Sequence, residues 1–369
     1  MKLTAIVKLL PSDEQRQNLY QTLERANAAC NWISAQAWDA KVFGRVPVHR
    51  LTYAPVREQF ELTAQLVVRC IGKVVDSYKS EKQTKHLFQK LGSVPYDSRI
   101  LNWRIPKQNV SIWLLGGRQE IQFVAGATHL ALLAFQKGES DLVYRKGEFY
   151  LYTTCDVPED TVIDIESFLG VDLGIKNIAT DSDGRFYSGK HLLSVRHRHR
   201  RLRSKLQKKG TKSAKRKLQQ FSGKESRFAH DVNHCISKQL VKNAKDTGRG
   251  IALEDLNGIR DRVTVRRRQR DVLHSWSFDD LQMKIAYKAK RAGVPVQWVD
   301  PRNTSRQCSG CGYADKANRP SQSTFLCTRC GHAAHADVNA AINIGRRGSV
   351  NAPNAVGEVG ENPAPTASP

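Results

Sequence analysis

Residues 304–347 read TSRQCSGCGYADKANRPSQSTFLCTRCGHAAHADVNAAINIGRR, and the rest of the chain is organised around this stretch. Cys308 and Cys311 form one C-x2-C pair, Cys327 and Cys330 a second, with fifteen residues between them. Each pair is followed by a glycine that frees the backbone to turn. Four thiolates at this spacing can close around one tetrahedral zinc ion; the bland alternative is four reduced cysteines in a loop. Immediately downstream, Asp337 stands near the start of an Ala-rich run that reads as a helix. A carboxylate there would sit beside the zinc knuckles without being a zinc ligand. If it holds another metal, the remaining chain must supply its partners.

Composition bounds the search. The chain has 369 residues, enough for two or three domains, and 40% hydrophobic content marks it as globular. No apolar run reaches the length of a membrane span. The N-terminus turns polar too soon for a signal peptide. Cys30, Cys70, Cys155 and Cys235 are scattered singly among apolar neighbours, which fits a reducing cytoplasm. The formal charge is +24 and the pI about 9.9. Such an excess repels itself unless a polyanion offsets it, so nucleic acid is the natural partner. A generic basic protein would share the charge but has no need of the acids described below.

Upstream, Lys2–Leu10 reads as a strand. Ser12 with Gln15 three positions on marks a capped helix start. Leu19, Leu23, Ala26, Cys30, Ile33 and Ala37 then form one apolar stripe. The segment after Pro55 repeats the pattern through Val56, Phe60, Leu66, Cys70, Val74 and Tyr78, predicting a second helix packed on the first. Lys73, Lys79, Lys82 and Lys85 fall on or just past its outer face, within reach of phosphate. From Val94 to Asp156 the period changes. Ile112, Leu114, Ile121, Phe123, Leu130, Leu132 and Phe135 lie in short runs broken by glycines. Leu142–Tyr152 reads as a hairpin turning at Lys146-Gly147. This is a small β-domain, a barrel in the simplest reading, which the opening strand would join.

A buried strand, Phe168–Leu173, carries Asp172 near its end, and Gly174 and Asp183-Gly184 turn the chain through two more short strands. An aspartate in an apolar strand is expensive unless compensated, and a divalent metal at a strand end compensates it. Lys190–Lys217 holds thirteen Lys or Arg and no acid. Part of it, Val195–Gln207, looks helical, and the remainder is expected to stay solvated or to bind a polyanion. Lys224–Asp246 is a helix with stripe Phe228, Val232, Ile236, Leu240 and Ala244. Gly250–Leu256 is another buried strand ending in Glu254 and Asp255. Alternation sends only one of that pair to the face of Asp172, and Glu254 is the choice that leaves Ile251 and Leu253 opposite. Ile259–Asp271, with its arginines, reads as a mobile basic loop. Phe278–Ala292 is a helix and Val294–Val299 a strand. Beyond Asn351 the tail is read as disordered.

Asp172, Glu254 and Asp337 thus sit on strand end, strand end and helix start. The order is strand-Asp, hairpin, helix, strand-Glu, helix, strand, helix-Asp. That is the order of the ribonuclease H-like fold of the RuvC variety, with a zinc ribbon inserted before the last helix. Hydrolysing a phosphodiester needs an activated water and a stabilised leaving alkoxide, and two Mg2+ ions about 4 Å apart supply both. Mg2+ takes hard oxygen ligands and keeps several waters, so three carboxylates suffice. Asp172 would bridge, with Glu254 and Asp337 each holding one ion; Mn2+ can substitute.

The motifs GVDLGIKN with Asp172, LEDL with Glu254, TSRQCSGCG, FLCTRCG and DVNAAINI with Asp337 resemble the TnpB family, the RNA-guided nucleases of insertion sequences regarded as ancestral to type V CRISPR effectors. The nuclease half carries the specific match; LLPSDEQ and Asn31-Trp32 match in style only. Family members carry Asp-rich sequence before the last catalytic Asp, where this chain has His332-Ala-Ala-His335-Ala336. The resemblance implies a multidomain α/β protein: a β-barrel wedge domain (1–10 and 89–165), a helical recognition lobe (11–88), a RuvC-like nuclease domain (166–303 and 335–350), a zinc-ribbon module that binds target nucleic acid (304–334) and the tail (351–369). It implies a guide RNA, the omega RNA from the element's own end, and target double-stranded DNA as partners. Catalytic Mg2+ and one structural Zn2+ would be the cofactors. It further implies a short target-adjacent motif, a monomer, and residence in the bacterial or archaeal cytoplasm near the nucleoid. Lys73, Lys79, Lys82, Arg198, Arg201, Lys205, Arg266, Arg267 and Arg268 are the expected backbone contacts. Two other readings remain, a cleavage-inactive RNA-guided repressor and a transposase-like protein; a zinc-ribbon scaffold would leave the acids incidental.

Overall fold

A computed structural model describes residues 1–256 and 278–351. The chain divides into two compact units, Met1–Pro158 and Glu159–Pro369. In the first, β1 (Lys2–Leu10) leads into α1 (Asp13–Asp39). Ser12 and Gln15 close a full capping box, each side chain bonded to the other's backbone N–H. The predicted stripe from Leu19 to Ala37 is buried throughout. The single second helix read from Pro55 onward is in fact two, α2 (Arg45–Phe60) and α3 (Ala64–Ser80). Pro55 lies inside α2, and Glu61, at φ +48°, breaks the run before Thr63 starts α3. Leu66, Cys70, Val74 and Tyr78 fall on one turn-to-turn line of α3, and the six-residue step from Phe60 to Leu66 marks the break.

The β-elements are β2 (Val94–Tyr96), β3 (Leu101–Arg104), β4 (Asn109–Leu114), β5 (Gly117–Val124), β6 (Gln136–Arg145) and β7 (Glu148–Asp156). With β1 they form one antiparallel, barrel-like sheet in the order β2-β6-β7-β1-β5-β4-β3. The opening strand therefore pairs with β5 and β7, which come more than a hundred residues later. Leu130 and Leu132, expected among the short strands, belong instead to α4 (Ala127–Leu133), which starts after the extended Gly126. The hairpin turns at Lys146-Gly147 as expected, both residues having positive φ.

In the second unit, β8 (Phe168–Asp172), β9 (Asn177–Asp181) and β10 (Phe186–Ser188) are followed by α5 (Lys190–Lys209), α6 (Lys212–Phe221) and α7 (Lys224–Asp246). The basic run is therefore helical almost throughout, not only over Val195–Gln207. Gly210 at φ +65° and the Thr211 cap on the Ala214 N–H separate its two helices. Leu192, Val195 and Ala214 are buried, which anchors helices whose like charges would otherwise favour an extended chain. Then come β11 (Gly250–Glu254), α8 (Phe278–Arg291), β12 (Val296–Val299), β13 (Thr324–Leu326), β14 (Ala333–His335) and α9 (Ala336–Asn351). The arginine-rich loop with Arg266–Arg268, and the tail, lie outside the described residues.

Strand order in this unit is β10-β9-β8-β11-β12. The hairpins β8-β9-β10 are antiparallel, while β11 runs parallel to β8 and to β12. Leu169, Val171, Ile251 and Leu253 face a core with α7 and α8. The opposite face meets α9 very closely. A Cβ built on Gly170 would lie 1.9 Å from the Ala341 carbonyl oxygen and 2.4 Å from the Gly345 nitrogen. Gly345 on the helix meets Gly170 on the sheet backbone to backbone, while Gly348 makes room for the Ala252 methyl and the Phe168 side chain. Among the described residues, no helix is long and apolar enough to cross a membrane.

Candidate metal centres

The parallel register places Val171 beside Leu253, so Asp172 and Glu254, one step further on, end neighbouring strands on the α9 face. α9 begins at Ala336, and its first-turn Asp337 arrives at the same end of the sheet. Asn177, at the start of β9, donates to Asp337 at this end of the sheet. Burial, followed by the charges of Glu254 and Asp337, pushes the Asp172 carboxyl up to about 8, and Arg319 opposes the shift only in part. Part of the residue reaches solvent, yet the carboxyl is deeply set. Burial likewise raises Glu254, against a hydrogen bond from Thr304.

Each outer acid is fixed by named neighbours. Thr304 Oγ1 donates to Glu254 Oε1 at 2.5 Å, and Gln282 Nε2 donates to the Glu254 carbonyl at 2.7 Å. Asn177 Nδ2 donates to Asp337 Oδ2 at 2.9 Å, and Arg319 reaches Asp337 Oδ1 at 3.4 Å. Asp172, Glu254 and Asp337 offer hard oxygen donors of the kind Mg2+ or Mn2+ takes, with Arg319 and Arg347 beside them; among the described residues only the four cysteines form a group of three or more with ligand atoms within 4.8 Å of one another.

The cysteine centre is built differently. Its two knuckles repeat one geometry. Cys308 N bonds Tyr313 O and Gly312 N bonds Cys308 O; Cys327 N bonds His332 O and Gly331 N bonds Cys327 O. Gly312 and Gly331 stand at φ +77° and +74°, a conformation that the turn demands and that glycine adopts freely. Cys308 Sγ lies 3.7 Å from Cys330 Sγ and Cys311 Sγ 3.6 Å from Cys327 Sγ, with all four sulfurs within 4.8 Å of one another. A zinc–sulfur bond of about 2.3 Å requires tetrahedral edges of about 3.8 Å, so the cluster could bind zinc as it stands. Burial pushes the Cys327 thiol up, but the N–H groups of Cys330 and Arg329 and the adjoining thiols outweigh it and bring it to about 6. His332 and His335 are outside this group; His332 bonds Ser309 and His335 accepts from the Asp337 N–H.

Two asparagines join the centres. Asn339 accepts from Ser309 N at 2.9 Å and donates to Gln307 O at 2.8 Å; Asn343, one turn on, donates to Thr304 O and Gln307 O. Both are buried and lock the first knuckle onto α9. The sequence reading missed these clamps and the supports Asn177, Thr304, Gln282 and Arg319. The asparagines at helical spacing in VNAAIN were the available signal.

Of the expected nucleic-acid contacts, Arg198, Arg201 and Lys205 are exposed along α5, and Lys82 is exposed beyond α3. Lys79 pairs with Asp76 at 2.7 Å. Lys73 is tied inward to Asn27 Oδ1 at 2.8 Å and Ser93 O at 2.6 Å, which leaves it less available than its helix position suggested.

Comparison with known proteins adds independent findings. A family model described as "Cas12f1-like, TNB domain" matches residues 278–344, and one described as "Probable transposase" matches residues 152–258. The CRISPR-associated endodeoxyribonuclease Cas12f1 of Sulfoacidibacillus thermotolerans is 28% identical over 82% of each chain. A TnpB-like protein of Methanocaldococcus jannaschii is 33% identical over 48% of this chain and 68% of its own. Among solved structures, the "Cas12f1-sgRNA-target DNA complex" superposes with a TM-score of 0.58 at 17% identity, covering 89% of this chain and 82% of that one, a likeness of fold.

Proposed function

Because the chain belongs to the TnpB family, we propose that it is an RNA-guided DNA endonuclease whose cutting site is Asp172, Glu254 and Asp337. The observation that carries this reading is the placement of the acids: Asp172 and Glu254 end the adjacent parallel strands β8 and β11 of a sheet ordered β10-β9-β8-β11-β12, and Asp337, in the first turn of α9, is bonded to Asn177 at the start of β9. That order and the covering α9 support a RuvC-like member of the ribonuclease H-like class. The domain plan given above, with Zn2+ in the cysteine module as a structural ion, belongs to the same proposal. The relative solved with sgRNA and target DNA makes a guide RNA and a DNA target the partners to test.

In this reading Asp172, Glu254 and Asp337 hold a pair of divalent ions, which when bound activate the attacking water and steady the leaving oxygen. The chain's own work is positional. Thr304 and Gln282 fix Glu254, Asn177 and Arg319 fix Asp337, and α9, packed on β8 at Gly170, carries Asp337. Exposed Arg198, Arg201 and Lys205 offer phosphate contacts that fix orientation without reading sequence. Sequence choice is left to guide–target pairing, with the protein gripping backbone and duplex shape.

The test is a cleavage assay on protein purified with its co-purifying RNA, sequenced to define the guide. DNA matching that guide should be cut in Mg2+ or Mn2+ and left intact in Ca2+ or EDTA. Cutting in EDTA would overturn the metal assignment, and absence of any bound RNA would overturn the guide.

A further inference from the structure

One aromatic ring near the acids has no place in a core. Phe186, on the edge strand β10, is 43% exposed and belongs to neither hydrophobic cluster of its sheet. A single exposed apolar residue means little alone; its register gives it meaning. Phe186 pairs with Thr180, and Thr180 pairs with Asp172, so the three stand in one row across β10, β9 and β8. Residues paired directly across strands point to one face. Two inter-strand spacings separate Phe186 from Asp172, about 10 Å along the row.

The ring is also braced. His335 meets it edge to face, centroids 4.7 Å apart and planes at 73°. His335 in turn accepts from the Asp337 N–H at 3.3 Å. The turn that delivers the third acid therefore fixes the aromatic ring as well. An exposed phenyl held in register with Asp172 and braced from the Asp337 turn is a stacking surface for an unpaired base.

We propose that Phe186 stacks a nucleobase of the unpaired DNA strand presented to the acids, with His335 as the residue that positions the ring. This rests on the nuclease reading above and adds a substrate subsite to it. Roughly 10 Å along the row puts the base within a few nucleotides of the scissile phosphate. Stacking on an aromatic side chain tolerates any base, which suits an enzyme whose sequence choice comes from its guide.

The experiment uses the guide-loaded full chain and target strands carrying one abasic site, walked through the nucleotides flanking the cut. Base–aromatic stacking of about 1–3 kcal/mol corresponds to about a 5- to 150-fold effect on single-turnover cleavage. One abasic position should slow the native protein by that factor. Phe186→Ala should slow the intact target similarly and show no further loss on the abasic strand, and Phe186→Trp should restore the rate. His335→Ala should give a smaller loss of the same kind. Fluorescence of 2-aminopurine at that position, read in Ca2+, should be quenched by the native protein and not by Phe186→Ala, independently of cutting. Full additivity of the abasic and Phe186→Ala losses, or a Phe186→Ala variant as fast and as quenching as the native protein, would overturn the subsite while leaving the nuclease reading intact. Failure of the native protein to cut any matched target would instead overturn the nuclease reading and this subsite with it.

Discussion

The two candidate metal centres share one helix and differ in how the chain reaches them. The cysteine centre is closed by a segment from Cys308 to Cys330, and each half is a self-contained turn with its own glycine. The acid centre draws Asp172, Glu254 and Asp337 from two strands and a helix spread over most of the second unit. In the first, local backbone geometry places the ligands and the metal completes the fold. In the second, the fold comes first and forces like charges together. The teaching is in the sign: metal should be needed for stability in one centre, and relief of strain should be what metal brings to the other.

The largest expected effect follows for the cysteines. Cys308→Ser should take bound zinc from about one per chain to none, measured by elemental analysis. It should also unfold the 304–334 module, since zinc binding in such small modules carries about 10–16 kcal/mol of folding free energy. Limited proteolysis would detect the opening. If the module resists proteolysis without zinc, the two centres are not as different as their construction suggests.

Asp172→Asn tests the opposite sign. Cutting should fall by about a thousandfold or more, the several kcal/mol that metal-assisted activation supplies. Stability in EDTA should not fall and should rise by about 1 kcal/mol, because a carboxyl pushed up by burial and by Glu254 and Asp337 no longer opposes folding. Added Mg2+ should raise the melting temperature of the native chain and not of the variant. A variant that melts lower in EDTA would mean that Asp172 is a structural anchor.

This contrast also explains what the sequence made legible. The cysteine centre could be read from spacing because its geometry is local. The strand and helix carriers of Asp172, Glu254 and Asp337 could be read from apolar runs, and alternation separated Glu254 from Asp255. Their supports could not be read. Thr304, Asn177 and Arg319 reach the acids only because knuckle, hairpin and helix meet in space, which no local pattern encodes. The helical segments of the N-terminal half erred for a related reason. Regular four-residue steps on either side of the break made α2 and α3 look like one helix despite the six-residue step from Phe60 to Leu66, and Leu130 and Leu132 fit a strand as well as the short α4 they occupy.

The seam that carries the acids is the next target. Gly170→Ala places a methyl group against the Ala341 carbonyl and the Gly345 backbone, atoms that cannot rotate away. α9 must shift from β8, costing about 3 kcal/mol as an overpacked core does. Asp337 rides on that helix and should lose its alignment with Asp172, so cutting should fall with stability. The knuckles travel with α9 through Asn339 and Asn343, so zinc content should stay near one. Loss of zinc together with cutting would show the two centres to be a single cooperative unit.

The smallest effect concerns a like-charge cluster on the other face of the same sheet, where no metal is involved. Burial, then Lys284 and Lys288, holds His234 down to about 4; burial, then Lys284, holds Lys288 down to about 8. Around them stand His230 and Asp280, with Lys238 and Cys235 on α7. Both bases are depressed in the fold, so the unfolded chain binds the extra proton between about 4 and the ordinary histidine value, and again between about 8 and the ordinary lysine value. The cluster's contribution to stability should therefore rise with pH through each window and be flat between them, superposed on the fall that the raised Asp172 carboxyl brings up to about pH 8. Lys288→Met should abolish the upper rise. Because Lys288 is partly exposed and donates to His234 O and Ser237 Oγ, screening and those lost bonds keep the gain at neutral pH under about 1 kcal/mol. Mg2+ and EDTA should leave this pH profile unchanged, in contrast to the acid row. The acids are relieved by a cation or, at Asp172, by taking up a proton, whereas the bases relieve themselves by letting a proton go.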